Sequence, residues 1–300
     1  MDYVCSIEAG RDFIWFNRIK GVDVIKCLFW NINKKNLVQE IIESCLENEI
    51  DVIMLAEADN LDSQYLISQM ARYDKKFTKK ELVPKNKGIM LLADGNVKAH
   101  VYKEEKHFSV YKIHEKNRNY LLVVLHLASA MFKNEFARAQ KANIISRTIN
   151  KLEESCRNEA QKAGEDDYST IVVGDFNLQP FSDGVIGAYG FNAVMDANIA
   201  KKISRTVDDQ QVNFYFNPMW HLMGKREGIP GTYYSYSDQE DKSFYWYTYD
   251  QVLLRPALID IFRWEEFGII KRIGAKDLIQ SGKIYKERYS DHLPIKFEVG

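Results

Sequence analysis

The residues best suited to chemistry stand at the ends of apolar runs. Asn31 follows Leu28-Phe29-Trp30, and Glu57 follows Ile53-Met54-Leu55-Ala56. His126 follows Leu122-Val123-Val124-Leu125, and Asp175 follows Ile171-Val172-Val173-Gly174. Asp291 and His292, in Ser290-Asp291-His292-Leu293-Pro294, stand just before the last strand-like run. Runs that are apolar throughout read as strands buried on both faces, so a carboxylate, amide or imidazole at their rim is placed to meet a ligand. With the strands in register, these groups gather at one sheet edge, where α/β proteins commonly hold their sites.

Glu57, Asp175 and Asp291 would then bring negative charges together. Two unit charges ~4 Å apart repel by about 4 kcal/mol at an effective dielectric of about 20, and a phosphate adds to the repulsion. A divalent cation lets such a set coexist. Oxygen donors without paired thiolates or a histidine cluster favour Mg²⁺ or Mn²⁺ over zinc. The chemistry expected is metal-assisted hydrolysis of a phosphate ester.

The elements that must position these groups alternate along the chain. Residues 22–30, 52–55, 88–92, 98–102, 108–113, 120–125, 170–173, 246–254, 269–273 and 294–299 read as strands. Residues 37–46 and 61–71 read as helices, and 134–156 is the clearest one. Its expected apolar stripe is Phe136, Ile144, Ile145, Ile149, Leu152 and Cys156, followed by an exposed polar loop over 161–167. No repeat, low-complexity tract or Pro/Gly linker divides the chain. One domain spanning 1–300, with its core at roughly 22–299, of stacked sheets and outer helices is expected.

Composition narrows the class. With 46% hydrophobic residues the chain can bury a sizeable core, and 28% charged residues place it outside the disordered class. A formal net charge of -1 argues against a strong non-specific nucleic-acid binder, yet leaves room for a local basic patch. Cys5, Cys27, Cys45 and Cys156 show no C-x-x-C spacing and read as small apolar side chains in a reducing compartment. No apolar run approaches the ~20 residues that span a bilayer, and the N-terminus lacks a signal-peptide pattern. The expectation is a soluble, cytoplasmic protein. A Gly-rich phosphate loop, a nucleophile elbow and H-E-x-x-H are all missing.

Six segments now form an ordered set: Trp30-Asn31-Ile32-Asn33, Leu55-Ala56-Glu57, His126-Leu127-Ala128-Ser129, Gly174-Asp175-Phe176-Asn177, Tyr249-Asp250-Gln251-Val252-Leu253 and Ser290-Asp291-His292-Leu293-Pro294. In that order they resemble the motifs of the endonuclease/exonuclease/phosphatase superfamily, which includes DNase I-like nucleases, abasic-site endonucleases, deadenylases, sphingomyelinases and inositol-polyphosphate 5-phosphatases. The resemblance implies a four-layer α/β/β/α sandwich of two packed, mostly antiparallel sheets. It implies Glu57 as direct metal ligand with Asn31 beside it, Asp291 completing the metal or water network, and Asp175 deprotonating the attacking water. Asn177 would hold that water or a phosphate oxygen. His292 would bind the scissile phosphate, held protonated by Asp250, and His126 would be a second phosphate contact. Two positions depart from the pattern. Ala56 stands where many members have Gln, and Asn33 where abasic-site nucleases tend to have Asp, which disfavours the abasic-site reading.

Each feature also has a plainer explanation. Asp175 and Asn177 alone could cap a turn, and His292 alone could be a structural histidine. His100, His107 and His114 lack ligand spacing, and His221 falls in a loop. Lys75, Lys76, Lys79, Lys80, Lys85 and Lys87 read by default as a solvated face, but Lys79 and Lys80 are candidates for tracking a polyanion, with Arg138 and Arg205 behind them. The aromatic stretches at 214–220 and 233–249, including Trp220 and Tyr233, suit cross-strand packing, or stacking against bases or a headgroup. The expected substrate is a nucleic acid. A small or lipid-borne phosphate ester is the second possibility, and an inactive binding module on the same fold the third.

Overall fold

The computed structural model describes residues 24–82, 88–115, 118–129, 134–225, 228–236 and 243–300. Cys5, Lys85, Lys87 and the first two residues of the expected core, 22 and 23, lie outside these. The apolar runs form two sheets. The first contains β1 (Ile25–Asn31), β2 (Val52–Ala56), β3 (Thr78–Lys79) and β4 (Ile89–Ala93) with two later strands, in the order Gly268–Ile269, Ile295–Val299, β1, β2, β4, β3. The second runs β5 (Lys98–Glu104), β6 (Phe108–Glu115), β7 (Arg118–His126), β8 (Tyr168–Asp175), Asp250–Leu254, Tyr215–Phe216, Ala193–Val194. Most neighbours are antiparallel. Three pairs are parallel: Ala193–Val194 with Tyr215–Phe216, and β1–β2 and β7–β8, which are bridged by α1 (Val38–Glu47) and α3 (Glu135–Ala163), as a parallel connection requires a crossover.

The period of two along each strand sorts its side chains between two cores. Phe29, Met54 and Leu91 of the first sheet share the inner core with Leu122, Val124, Val173 and Val252 of the second. On the far face of the first sheet, Leu28, Trp30, Ile53 and Leu55 pack with Ile41 and Cys45 of α1 and with Leu66 and Met70 of α2 (Ser63–Ala71). Beyond the second sheet, Leu121, Val123, Leu125 and Val172 meet Ala142, Ile145 and Ile149 of α3. The result is the expected order of layers: helix, sheet, sheet, helix. No helix among the described residues is long and apolar enough to cross a membrane.

Three local expectations need correction. First, α3 begins at its cap Asn134, whose side chain accepts the Ala137 N–H at 2.9 Å, and runs past Cys156 to Ala163. It ends where Gly164 adopts φ 68°, so part of the supposed loop over 161–167 is helix. Phe136 and Ile144 are 72% and 58% exposed rather than part of a buried stripe. The buried face is instead built from Ala139, Ala142, Ile145, Ser146, Ile149, Cys156 and Ala160, mostly small residues that let the helix sit close to its sheet. Second, the run at 246–254 divides at buried Thr248, whose N–H donates to Gln179 Oε1, into Tyr245–Tyr247 and Asp250–Leu254. Third, the run at 269–273 divides into Gly268–Ile269 at the sheet edge and Arg272–Ile273 in a separate hairpin.

Candidate active site

Strand register assembles the site. Asn31 at the end of β1 pairs with Ala56 of β2, so Glu57 emerges one residue later at the same rim. In the other sheet Asp175 is flanked by His126 on β7 and by Asp250 on the antiparallel neighbour. Residues directly opposed on adjacent strands project to one face, so these groups form a row. Gly174 makes the row possible. A Cβ there would lie 2.0 Å from the Leu125 carbonyl oxygen, and its φ of 154° suits glycine. Past the strand ends, Glu57 and Asn177 turn through left-handed backbone with φ of 50° and 49°. Non-glycine residues hold such conformations where the surroundings impose them, often at functional sites.

The last member arrives from the C-terminal segment. Tyr233 and His292 form an isolated antiparallel bridge, and Leu293 N–H donates to Thr232 O at 2.8 Å. The Trp30 indole donates to the His292 carbonyl at 2.8 Å, and Ser290 Oγ accepts the His292 N–H at 3.1 Å while donating to Asn31 O at 2.5 Å. His292 is thereby clamped to the end of β1.

The side chains form one network. Asn31 Nδ2 donates to Asp175 Oδ2 at 3.0 Å and reaches Glu57 Oε1 at 3.4 Å, linking the two sheets. His126 Nε2 lies 3.5 Å from Glu57 Oε1 and 3.7 Å from Asp175 Oδ2. Asp175 Oδ1 accepts the Asn177 N–H at 2.8 Å, and Asn177 Nδ2 donates to Leu127 O at 2.9 Å. His292 places Nε2 3.8 Å from Asp175 Oδ2 and Nδ1 2.7 Å from Asp250 Oδ2. Burial alone would lower the proton affinity of His292, but the carboxylates of Asp250, Asp175 and Asp291 outweigh it and lift its pKa to about 10. Burial in turn raises Asp250, against the pull of the imidazolium beside it. The pair therefore keeps its proton at neutral pH, as an imidazolium held against a carboxylate.

Asp175, Asp250 and His292 bring ligand-type atoms within 4.8 Å of one another, all three residues buried. With Nδ1 of His292 engaged by Asp250 and the ring charged, His292 offers a cation no lone pair and instead presents an Nε2–H donor. Glu57 is different: its side chain is 26% exposed, and it shares the rim with the Asn31 amide. The Glu57 carboxylate and the Asn31 amide oxygen are hard donors of the kind that suit a divalent cation. Asp291 sits beside this network, 3.5 Å from Ser290 Oγ, and acts on His292 and Tyr233 through its charge.

The expected substrate residues divide into two flanks. Arg138, on the first turn of α3, donates to the Asn177 carbonyl and to the Tyr249 hydroxyl, while its Nε is buried without a partner. Tyr233 packs its ring 4.8 Å from that of His292. Trp220 meets the site only through intervening rings, the first of them Phe181 at 6.0 Å. On the other flank Lys79 and Lys80 line a groove with Ala58 and Asp59, directly beyond Glu57, although Lys79 Nζ is paired with Glu81 at 2.6 Å. Arg205 is not brought in: it bonds Asn192 on a hairpin. His221 packs edge-on to Trp264. His100 and His114 stack at the ends of their strands far from His126. Thr232 and Phe181 were not anticipated. Thr232 is fully buried and its hydroxyl accepts the Asp250 N–H at 3.1 Å. The only signal for it was its place beside the aromatic Tyr233-Tyr234.

No family model matches the chain, and no curated protein matches it. Solved structures do. Truncated TDP2 of Caenorhabditis elegans is 14% identical with a TM-score of 0.54, over 92% of this chain and 97% of that one. TDP2 of D. rerio, complexed with a single-strand DNA product, is 13% identical with a TM-score of 0.53, over 93% of this chain and 100% of that one. A variant of the 3′ phosphatase NExo from Neisseria, bound to a product DNA hairpin, is 14% identical with a TM-score of 0.50, over 92% of this chain and 99% of that one. At these identities the likeness is one of fold, and the fold is the one the six motifs led us to expect.

Proposed function

We propose that this chain is a metal-dependent phosphodiesterase of the endonuclease/exonuclease/phosphatase superfamily, hydrolysing phosphate esters with an activated water, and that its substrate is a nucleic acid. The observation that carries this reading is the convergence of Asn31, Glu57, His126, Asp175, Asp250 and His292 at one rim, each within 3.8 Å of another member.

Each group has a task the geometry suits. Asp175, oriented by the Asn31 amide and the Asn177 N–H, takes a proton from the attacking water. His292, kept charged by Asp250, binds a non-bridging oxygen of the scissile phosphate and steadies the negative charge that grows there. His126 offers a second contact to the phosphate, and Asn177 with Arg138 borders it. Glu57 and Asn31 would hold Mg²⁺ or Mn²⁺, which when bound neutralises phosphate charge and acts as a Lewis acid. Phosphoryl transfer depends on placement and charge neutralisation more than on covalent chemistry, which is what a rim of fixed polar groups supplies.

A nucleic acid is supported by the DNA bound to two proteins of this fold and by Lys79 and Lys80 in the groove that Ala58 and Asp59 also line. A small or lipid-borne phosphate ester is favoured instead by the net charge of -1. The same reading makes the chain one catalytic domain in the cytoplasm, a setting supported by free, buried Cys27, Cys45 and Cys156. Assays on DNA, RNA, inositol phosphates and phospholipids, each with Mg²⁺ and with EDTA, test it. Metal-dependent cleavage of a nucleic acid is expected. Hydrolysis of only the small or lipid esters moves the assignment to the second substrate, and no hydrolysis of any ester ends the proposal.

A further inference from the structure

A row of aromatic rings leads away from the catalytic histidine. It starts with Tyr233, 4.8 Å from the His292 ring, and continues to Tyr249 at 5.4 Å and Tyr247 at 5.1 Å. Phe244 follows at 5.9 Å, Phe181 at 5.9 Å and Trp220 at 6.0 Å. The rings come from four separate stretches of chain, so sequence neighbours alone do not explain the row. It is not a core: Phe244 is 56% and Phe181 37% exposed, whereas Phe29, Phe176 and Phe297 are closed to solvent. Large apolar groups left open in a continuous patch generally mark a binding surface.

We infer that this row binds single-stranded nucleic acid, stacking successive bases on one side of the scissile phosphate. The inference rests on the phosphodiesterase reading and adds which form of nucleic acid is taken and where it lies. Tyr233 and Tyr249 stack on one another at an interplanar angle of 26°, which fixes the start of the row beside His292, and the exposed rings of Phe244 and Phe181 offer surfaces on which bases stack regardless of identity. Arg138, bonded to Tyr249, supplies positive charge beside these rings. A duplex hides its base faces in its own stack, so only unpaired bases can use such a row.

The test is equilibrium binding in EDTA, read by fluorescence anisotropy of a labelled oligothymidylate, its duplex with oligoadenylate, and phosphatidylserine vesicles. Wild type is expected to prefer the single strand. Phe181→Ala and Phe244→Ala should each weaken it by about tenfold, the weight of one base–ring stack. Ile144→Ala, exposed on α3, serves as control and should bind like wild type. Equal binding by the Phe variants and wild type would overturn the inference, as would a preference for duplex or vesicles. Hydrolysis of bis(p-nitrophenyl) phosphate with Mg²⁺ separates the two levels. Turnover of this small diester without single-strand binding rejects the row and leaves the enzyme. Single-strand binding with no turnover of any ester rejects the enzyme and leaves the row.

Discussion

Nδ1 of His292 lies 2.7 Å from Oδ2 of Asp250, both residues buried, and this contact decides the charge at the centre of the site. An imidazole buried without a carboxylate would give up its proton near neutrality. Beside Asp250 it remains a cation poised toward Asp175 and toward any phosphate that enters.

The pH profile should show this directly. With the His292 pKa lifted to about 10, hydrolysis should stay constant through neutral pH and fall only as the pH rises through about 10. Asp250→Asn should move that alkaline limb down toward neutrality. The stability contribution follows the same sign: it is fully present below the ordinary histidine pKa of about 6.5 and is lost as the pH rises through the raised value. Rate–pH curves for the two proteins check it, and coincident alkaline limbs would contradict the role given to Asp250.

Removing the charge of Asp175 should remove chemistry while preserving binding. Asp175→Asn is expected to lower kcat by at least about 10²–10³, the usual effect of deleting one well-placed group, with a much smaller change in KM. Steady-state kinetics on a cleavable substrate measure both.

The metal can be tested without turnover. An ion that binds only the folded protein raises its stability by about 2.7 kcal/mol at a hundredfold excess over Kd. Thermal melts should therefore shift upward with Mg²⁺ or Mn²⁺ for wild type and scarcely move for Glu57→Gln. An unchanged shift in the variant would place the ion elsewhere.

Gly174→Ala should fail for a steric reason. Its new Cβ would sit 2.0 Å from Leu125 O, a backbone atom of the neighbouring strand that cannot turn aside. The variant is expected to lose several kcal/mol or not fold, as seen when strain meets a rigid core. A melt within a few degrees of wild type would refute the close strand approach.

Salt dependence should report the basic flank. Lys80→Ala is expected to reduce the slope of log affinity against log salt by about one, since each phosphate contact contributes roughly that much. Lys79→Ala should do less, because Glu81 already holds its ammonium. Binding titrations at several salt concentrations give both slopes.

Much of this site could be read from residue order because each group ends an apolar run. A buried strand tolerates a polar side chain only at its rim, so Asn31, Glu57, His126 and Asp175 announced both their place and one another's. Asp250 and His292 were legible through their motifs. What escaped was set by long-range packing. Phe181 reaches Phe244 and Trp220 only once three distant segments fold together, and nothing near Phe181 in the chain marks it. On α3 the large apolar residues suggested the buried face, while Ala139, Ala142 and Ala160 made much of the contact, because closeness to a sheet rewards small side chains.

Asn31 belongs to one sheet and Asp175 to the other, and 3.0 Å separates donor from acceptor. Sliding one sheet past its partner by a single residue, about 3.3 Å, would exceed that entire distance. Residues such as Phe29 and Leu122, deep in the inner core, therefore set how the polar groups of the two sheets meet at the rim.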